Sequence, residues 1–386
     1  MGLNLHLYPS SITHESRIFR VTQTLADAGF FNEIHIVGLG REGLAENEKL
    51  DGTRSIWRVA APRPWPIPKL KSLSFFLQWA GRIVRRYRGE DIQVIHCHSL
   101  NDLPIGVLLK KILKTPRLVY DAHELETERN GLEGLPKRWA KLMERSLIRH
   151  VDHVLVVSEA IAEWYRAAYP GCRVTLVRNI PRNEHVKAAG PSRPTEAQTP
   201  LLRERLGIES GIVFLYQGAL MRGRGIDLLL SAFAKADPDR HVVFMGFGVY
   251  EEKIREYAAR HANIHFHPAV KPDELMQYTV GADVGVSIIE NICLSYYYCL
   301  PNKLYEYIIA GLPVLVSDFP EMSRVVREFG NGWATPVREE DLLSVIQEIT
   351  PENIAERRRG SLVARENLGW SGEAERLLGV YRSLAR

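Results

Sequence analysis

Residues 301–318 read PNKLYEYIIAGLPVLVSD. Pro301 suits the first turn of a helix, where its missing N–H costs nothing. Leu304, Tyr305, Ile308 and Ile309 recur at helical spacing, and Gly311 with Pro313 stops the helix. Residues 314–316, VLV, then read as a short buried strand. A helix that opens on Asn302 and Lys303 offers free backbone N–H groups, the positive end of its dipole and a cation. That combination suits a phosphate or pyrophosphate. Glu306 lies about one turn deeper, placed to accept hydrogen bonds from sugar hydroxyls beside such a phosphate. The competing reading is an ordinary αβ unit with a solvated Asn-Lys cap.

Upstream of this stretch, residues 213–217 (VFLYQ) start a strand–helix alternation, and residues 218–227, GALMRGRGID, lead into a helix over 228–236. Gly218, Gly223 and Gly225 permit a tight turn and close backbone approach to a ligand, and Arg224 supplies a guanidinium able to clasp pyrophosphate oxygens. Residues 241–246 form the next strand. Gly246, Phe247 and Gly248 make a GxG turn that lacks the third glycine of the dinucleotide fingerprint, so an NAD enzyme is poorly supported. Further strands are expected over 264–270 and 284–288. The second of these leads to Glu290 and a Tyr296-Tyr297-Tyr298 loop that either stacks on a sugar or base or packs in the core. Asp318 to Glu321, DFPE, has the form of a capping box.

The first half opens strand (3–7), helix (16–29), strand (34–37), the start of a parallel α/β sheet. The loop carrying His14, Glu15, Ser16 and Arg17 falls at the carboxyl end of the first strand, where open α/β sheets bind ligands, although Ser16 equally suits a helix cap. In the strand IQVIHCH (92–98), His96 and His98 point to one face. No third ligand stands at a familiar spacing, so no metal site is expected. The strand at 118–120 ends in Asp121-Ala122-His123-Glu124, a histidine and carboxylates on one turn, read either as a polar site or as capping groups. Residues 185–200, HVKAAGPSRPTEAQTP, have no apolar period and read as a linker.

The 386 residues are 45% hydrophobic and 25% charged, the composition of a folded protein of two to three domains. No run approaches the ~18 apolar residues needed to cross a bilayer. The opening MGLNLHLYPSS lacks a secretory or myristoylation pattern. The four cysteines stand apart with no CxxC pair, which fits a reducing cytoplasm. A net charge of +4 is too mild for a nucleic-acid binder. Basic residues cluster instead at Lys69, Lys71, Arg82, Arg85, Arg86 and Arg88, and at Lys137, Arg138, Lys141, Arg145 and Arg149, interleaved with Phe75, Phe76, Trp79 and Trp139. Such runs suit an anionic membrane face; solvated helix faces are the alternative.

PNKLYEYIIAGLPVLVSD resembles the nucleotide-sugar motif of retaining glycosyltransferases of family 4 (group 1). These have the GT-B fold, two Rossmann-like parallel-sheet α/β domains facing each other across a cleft. The resemblance implies that Glu306 holds the nucleotide ribose and that Pro301, Asn302 and Lys303 face the diphosphate. It places Gly218, Arg224 and Gly246 on nucleotide-sugar loops and the backbone near Val270 beside the base. Arg224 stands at the family's lysine position and Ala219 at its usual arginine. Tyr298 replaces a second glutamate, which marks a variant branch. VYDAHE (119–124) matches the turn that puts a histidine beside the donor sugar, a role carried to His123. His98 matches an HxH–Asp–Leu turn, with Asp102 as cap, and Ser16-Arg17 matches a helix-start pair. Catalytic roles thus fall to His123, Arg224 and Glu306, and acceptor contacts to His14, Ser16, Arg17, His98 and Glu124.

The implied organisation is an acceptor domain over 1–184, a linker over 185–200, a nucleotide-sugar domain over 201–368 and a helix over 369–386 that packs back on the first domain. The implied activity is metal-independent transfer from a nucleotide diphosphate sugar, UDP-sugar foremost, to a glycan or lipid-linked acceptor in cell-surface polysaccharide biosynthesis. No cofactor is expected. The location expected is the cytoplasm, at the inner face of the membrane. A nucleotide-sugar epimerase or hydrolase, or a catalytically silent sugar-nucleotide-binding partner, is the alternative.

Overall fold

The structure, a computed structural model, describes residues 2–60, 71–114, 116–181 and 201–384. The expected linker at 185–200 and Lys69 lie outside the described residues. The chain divides into two compact units, one comprising Met1–Arg178 with Glu373–Arg386, the other Asn179–Gly372.

The first unit contains β1 (Leu3–Leu7), β2 (Glu33–Leu39), β3 (Asn47–Lys49), β4 (Arg54–Val59), β5 (Ile92–Cys97), β6 (Arg117–Ala122), β7 (His153–Val156) and β8 (Val174–Leu176). They lie in the order β3-β4-β2-β1-β5-β6-β7-β8, all parallel except β3 against β4. Helices α1 (Ser16–Asp27), α2 (Lys71–Tyr87), α3 (Leu103–Leu113), α4 (Gly134–Leu147) and α5 (Glu159–Ala168) join them. A parallel sheet covered on both faces selects apolar residues at nearly every strand position. β1, LNLHL, is buried throughout, so Asn4 and His6 are polar exceptions that need internal partners. His6 is registered against His96 of β5, where the strand order reverses between β1 and β5.

The second unit runs α6 (Leu201–Leu206), β9 (Ile212–Ala219), α7 (Ile226–Phe233), β10 (Arg240–Phe247), α8 (Glu251–Ala258), β11 (Ile264–Pro268), α9 (Leu275–Thr279) and β12 (Val284–Ser287). It continues through α10 (Leu294–Tyr297), α11 (Asn302–Ile309), β13 (Val314–Ser317), α12 (Pro320–Phe329), β14 (Gly332–Thr335), α13 (Glu339–Glu348) and α14 (Pro351–Asn367). The sheet order β11-β10-β9-β12-β13-β14 is wholly parallel and is that of a doubly wound nucleotide-binding domain, with its switch point between β9 and β12. The last helix, α15 (Trp370–Leu384), lies mostly in the first unit, where buried Tyr381 bonds to His96 and Glu373 accepts from the Arg178 backbone at 2.8 Å.

Several expectations are adjusted. The chain changes unit at Arg178, not after residue 184, because Ile180 is buried in the second unit's core. Pro301 is the N-cap of α11, with extended backbone, and Asn302 takes the first helical position. Of the two readings of the tyrosines at 296–298, core packing is the one that fits Tyr296 and Tyr297. Tyr296 and Tyr297 lie on the short helix α10 and pack in the core, the Tyr297 ring tilted against Phe319 with centres 5.1 Å apart. Asp318 and Glu321 form no capping box, since Phe319 is the N-cap of α12, Asp318 accepts from Ser323 and Glu321 pairs with Arg324. Trp79 of the first basic run is buried rather than surface-facing.

Candidate active site

In the second unit the polar groups gather at the carboxyl end of β9, beside the switch point. Gly218 has φ +114°, which favours glycine, and a Cβ there would lie 3.8 Å from Lys303 Cε. Gly246 has a structural reason of its own, for a Cβ would fall 1.9 Å from the Gly218 carbonyl on the paired strand. Lys303, on the first turn of α11, lays its ammonium over Tyr216, 3.5 Å from the ring centre. Arg224 sits between Gly223 and Gly225, both at positive φ, and its guanidinium lies over Tyr296 at 4.5 Å. The glycines fit because Ile292 and Ile288 fill the space where their side chains would stand. Glu290 ties the loop by accepting from Gly225 N at 3.2 Å and donating its own N–H to Gly223 O at 3.0 Å.

Burial and then the neighbouring Arg224 guanidinium lower the Lys303 pKa well below the usual lysine value, while Glu306 pulls the other way. No side chain caps the start of α11. Two repelling cations beside an uncapped helix N-terminus form a site that an anion would relieve. Glu306 accepts from Gln217 Nε2 at 2.5 Å, and Gln217 Oε1 in turn accepts from Thr279 Oγ1 at 2.9 Å. The Gln217 backbone N–H donates to Tyr307 OH at 2.9 Å, so the buried glutamine is held at both ends. Asn302 is exposed and accepts from Asn179 at 2.8 Å. Val270 packs its side chain against the core, leaving Pro268 at the end of β11 and Ala269 after it exposed.

In the first unit the carboxyl ends of β1, β5 and β6 bring four histidines together. The rings of His6, His96 and His98 stack with centroids 4.2–5.1 Å apart and planes 16–25° apart. His6 contacts Asn4 Oδ1 through Nε2 at 2.7 Å and His98 Nε2 through Nδ1 at 2.9 Å. His98 Nδ1 lies 3.2 Å from His123 Nε2. Burial lowers the pKa of His6 and His98 well below that of a free imidazole, so both are neutral rings. Asp121 faces the group with Oδ2 3.4–3.5 Å from His96, His98 and His123. Burial alone would raise its pKa, but Arg17 and then His123 hold it well below the usual carboxylate value.

Two sets of these side chains are close enough to meet one ion: His6, His96 and His98, and His98, Asp121 and His123. Within the first set, His6 Nδ1 and His98 Nε2 lie 2.9 Å apart, the spacing of a hydrogen bond between the two rings. In the second, Asp121 Oδ2 already accepts from Arg17 Nε at 2.9 Å.

His123 and His98 are therefore brought together, with Arg17 beneath them. Arg17 is not poised toward an acceptor. It is 3% exposed, gives two bonds to Asp121 and donates to Val177 O at 2.7 Å. His14 and Ser16 are exposed, and Ser16 does not cap α1. Glu15 is the N-cap residue, its carboxylate accepting from Thr13 N, His14 N and Ser10 Oγ. Glu124 lies near Arg129 at 3.9 Å. Sequence reasoning missed Asn4, His6, Tyr381, Tyr216, Gln217 and Glu126. The available signal was the pair of polar residues at alternate positions of the otherwise apolar β1.

Glu126, three residues after His123, is buried, and burial raises its pKa to about 8. The native state thus holds a proton between about pH 4.5 and 8 that the unfolded chain releases, so stability falls as pH rises through this window. Glu126→Gln is expected to flatten that fall and to stabilise the protein at pH 8 by on the order of 2 kcal/mol. Urea titrations at pH 5 and pH 8 check this; equal slopes for both proteins would show that Glu126 is ionised when folded.

Two parallel-sheet α/β units, each with a polar site at its switch point, define the architecture of the GT-B glycosyltransferases. Residues 14–180 match the family described as Glycosyltransferase Family 4, and residues 198–361 the one described as Glycosyl transferases group 1. The chain belongs to this glycosyltransferase family. Among solved structures it is similar to sucrose-phosphate synthase from Thermosynechococcus elongatus, with 17% identity, a TM-score of 0.79, and coverage of 100% of this chain and 99% of that one. It is also similar to Anabaena HepE in complex with UDP-glucose, at 15% identity and TM-score 0.71 over 99% of this chain and 100% of that one. A third is WaaG, a glycosyltransferase involved in lipopolysaccharide biosynthesis, at 14% identity and TM-score 0.69 over 98% and 99%. At these identities the likeness is one of fold. No curated protein matches the chain in sequence.

Proposed function

We propose that the protein is a retaining, metal-independent hexosyltransferase that moves a sugar from a nucleoside diphosphate sugar, UDP-sugar foremost, to a glycan or lipid-linked acceptor in cell-surface polysaccharide assembly. The observation that carries this reading is the pairing of Arg224 with Lys303, the first-turn lysine of α11, beside Gly218 and a helix N-terminus that no side chain caps. The hard step is departure of the nucleoside diphosphate from an oxocarbenium-like centre. Fixed cations and helix N–H groups stabilise the charge that grows on the leaving oxygen. Glu306, braced by Gln217, takes the ribose hydroxyls, and His123 serves the reacting sugar. Same-face attack by the acceptor hydroxyl then retains configuration without a carboxylate nucleophile. Two protein cations take the place a divalent metal would otherwise fill on the diphosphate. HepE, solved with UDP-glucose, supports the uridine donor by analogy of fold.

Calorimetric titration with UDP, GDP, ADP and CMP, with and without Mg²⁺, followed by turnover of the matching sugar nucleotide, tests this reading. Tight binding of one nucleoside diphosphate without metal is expected. Turnover with no acceptor would favour an epimerase or hydrolase, and binding with no turnover on any acceptor would favour a silent partner.

The second basic run motivates a peripheral membrane site at the cytoplasmic face. No helix among the described residues is long and apolar enough to cross a membrane. On α4, however, Leu135, Trp139 and Leu142 form a stripe with Trp139 69% exposed. Lys137 and Lys141 are spent on Glu128, which leaves Arg138, Arg145 and Arg149 exposed around the stripe. A cavity of about 810 Å³ at the end of α4 is lined by Arg117, Arg145, Arg149 and Arg173. Trp139→Glu is expected to weaken partitioning onto phosphatidylglycerol vesicles by about tenfold or more, with UDP affinity unchanged. Co-sedimentation checks it; undiminished binding would remove α4 from the contact.

A further inference from the structure

The hydrogen bonds that run from Asn4 through His6 and His98 to His123 fit one chain of proton positions. Asn4 Nδ2 lies 3.0 Å from the Val94 carbonyl, which can only accept, so the Asn4 oxygen must face His6. His6 Nε2, at 2.7 Å from that oxygen, must therefore carry the ring proton. A neutral His6 then offers a lone pair at Nδ1, which requires His98 to donate from Nε2 across 2.9 Å. That leaves His98 Nδ1, which also lies 3.5 Å from Asp121 Oδ2, as an acceptor for His123 Nε2 at 3.2 Å, the shorter of the two contacts. Asp121 Oδ2, 3.5 Å from the same His123 nitrogen, is ionised and also only accepts. Both neighbours of His123 Nε2 thus demand its proton. The reverse assignment would set a His6 lone pair against the Asn4 oxygen at 2.7 Å or charge a wholly buried ring.

We propose that Asn4 and His6 are positioning residues that act through His98 to hold His123 in its Nε2–H tautomer. In its neutral form a ring so held keeps its lone pair at Nδ1. The His123 side chain keeps 24% exposure, unlike His98, which has none. A ring so fixed accepts from a hydroxyl and cannot donate to a carboxylate or carbonyl oxygen. The ligand class it selects at that position is a hydroxyl-bearing carbon, not a carboxylate-bearing one. The use of this on a sugar rests on the glycosyltransferase reading above; the tautomer itself does not.

The test is nitrogen-15 NMR of histidine-labelled protein above the imidazole pKa, with no nucleotide added, resonances being assigned by single substitution. Nε2 protonation is expected at His6, His98 and His123; Nδ1–H at His123 in the unmodified protein would overturn the proposal, whatever the activity. His6→Asn keeps an acceptor near the Nδ1 position and is expected to preserve the His123 signature. His6→Leu removes it and is expected to mix the tautomers, and, if the protein transfers sugar, to lower kcat by about 10–100-fold with little change in donor KM. A His6→Leu protein that is folded by thermal melting yet keeps a pure Nε2–H His123 would show that the column does not set the tautomer. If no sugar is transferred by any form, the spectra still decide the tautomer and only its use falls.

Discussion

Asp121→Ala is expected to lower the unfolding free energy of the first unit by about 3–5 kcal/mol. The cost arises from what is left behind. Arg17 is 3% exposed and spends its Nε and Nη2 on the two Asp121 oxygens at 2.9 and 2.7 Å. Removing the carboxylate strands a buried guanidinium and leaves the His96 and His123 N–H groups without their common acceptor. A double replacement, Arg17→Met with Asp121→Leu, is expected to recover most of the loss, because it removes both charges together. The contribution follows pH with a definite sign. The folded pKa of Asp121 is depressed, so its stabilisation is present above the ordinary carboxylate pKa of 3.8 and is lost as pH falls through the depressed value. Urea titrations of the two proteins decide the matter. A loss below about 1 kcal/mol for Asp121→Ala would mean that Arg17 finds water or another partner.

Lys303→Ala and Arg224→Ala are each expected to weaken UDP binding by about 10–100-fold, the value of one charge-assisted hydrogen bond to an anion. Uridine should bind either variant as it binds the parent protein. The contrast matters because Lys303 also packs on Tyr216 and Arg224 on Tyr296, so a general loss of packing would weaken both ligands. The two cations repel one another before the ligand arrives, which lowers the Lys303 pKa, and removing either relieves the other. The double variant should accordingly lose less than the product of the single losses. Calorimetry with UDP and uridine on all four proteins closes the cycle. Equal weakening of both ligands would reassign these residues from the diphosphate to the fold.

The second unit was largely legible in the sequence because its cues are local. Pro301, the apolar spacing through Ile309, and Gly311 with Pro313 mark α11 within a dozen residues, and Gly218, Gly223 and Gly225 mark turns whose φ angles are positive. Gln217 was not legible as a brace for Glu306, since the two are 89 residues apart and meet only when β9 lies beside α11. The histidine column failed for the same reason. His96 and His98 could be placed on one face, but His6 and Tyr381 reach them across 92 and 285 residues. Arg17 was misread because a polar residue at a helix start near a strand end looks like a ligand contact. Only the tertiary structure reveals Asp121 directly beneath it. The choice between ligand stacking and core packing for the tyrosines at 296–298 was not legible, because Phe319, the neighbour of Tyr297, comes from the far side of α11 and β13.

The first unit is assembled from both ends of the chain, with Glu373–Arg386 completing what Met1–Arg178 begins and Asn179–Gly372 lying between them as one continuous insert. A ribosome delivers these pieces in order. The second unit can close on itself as soon as its own residues have emerged, whereas the first must wait for Tyr381, the partner of His96, to be made. During synthesis the second unit is therefore finished before the first. A nascent chain stalled short of Tyr381 would carry Arg224 and Lys303 in place and the histidine column still open on one side.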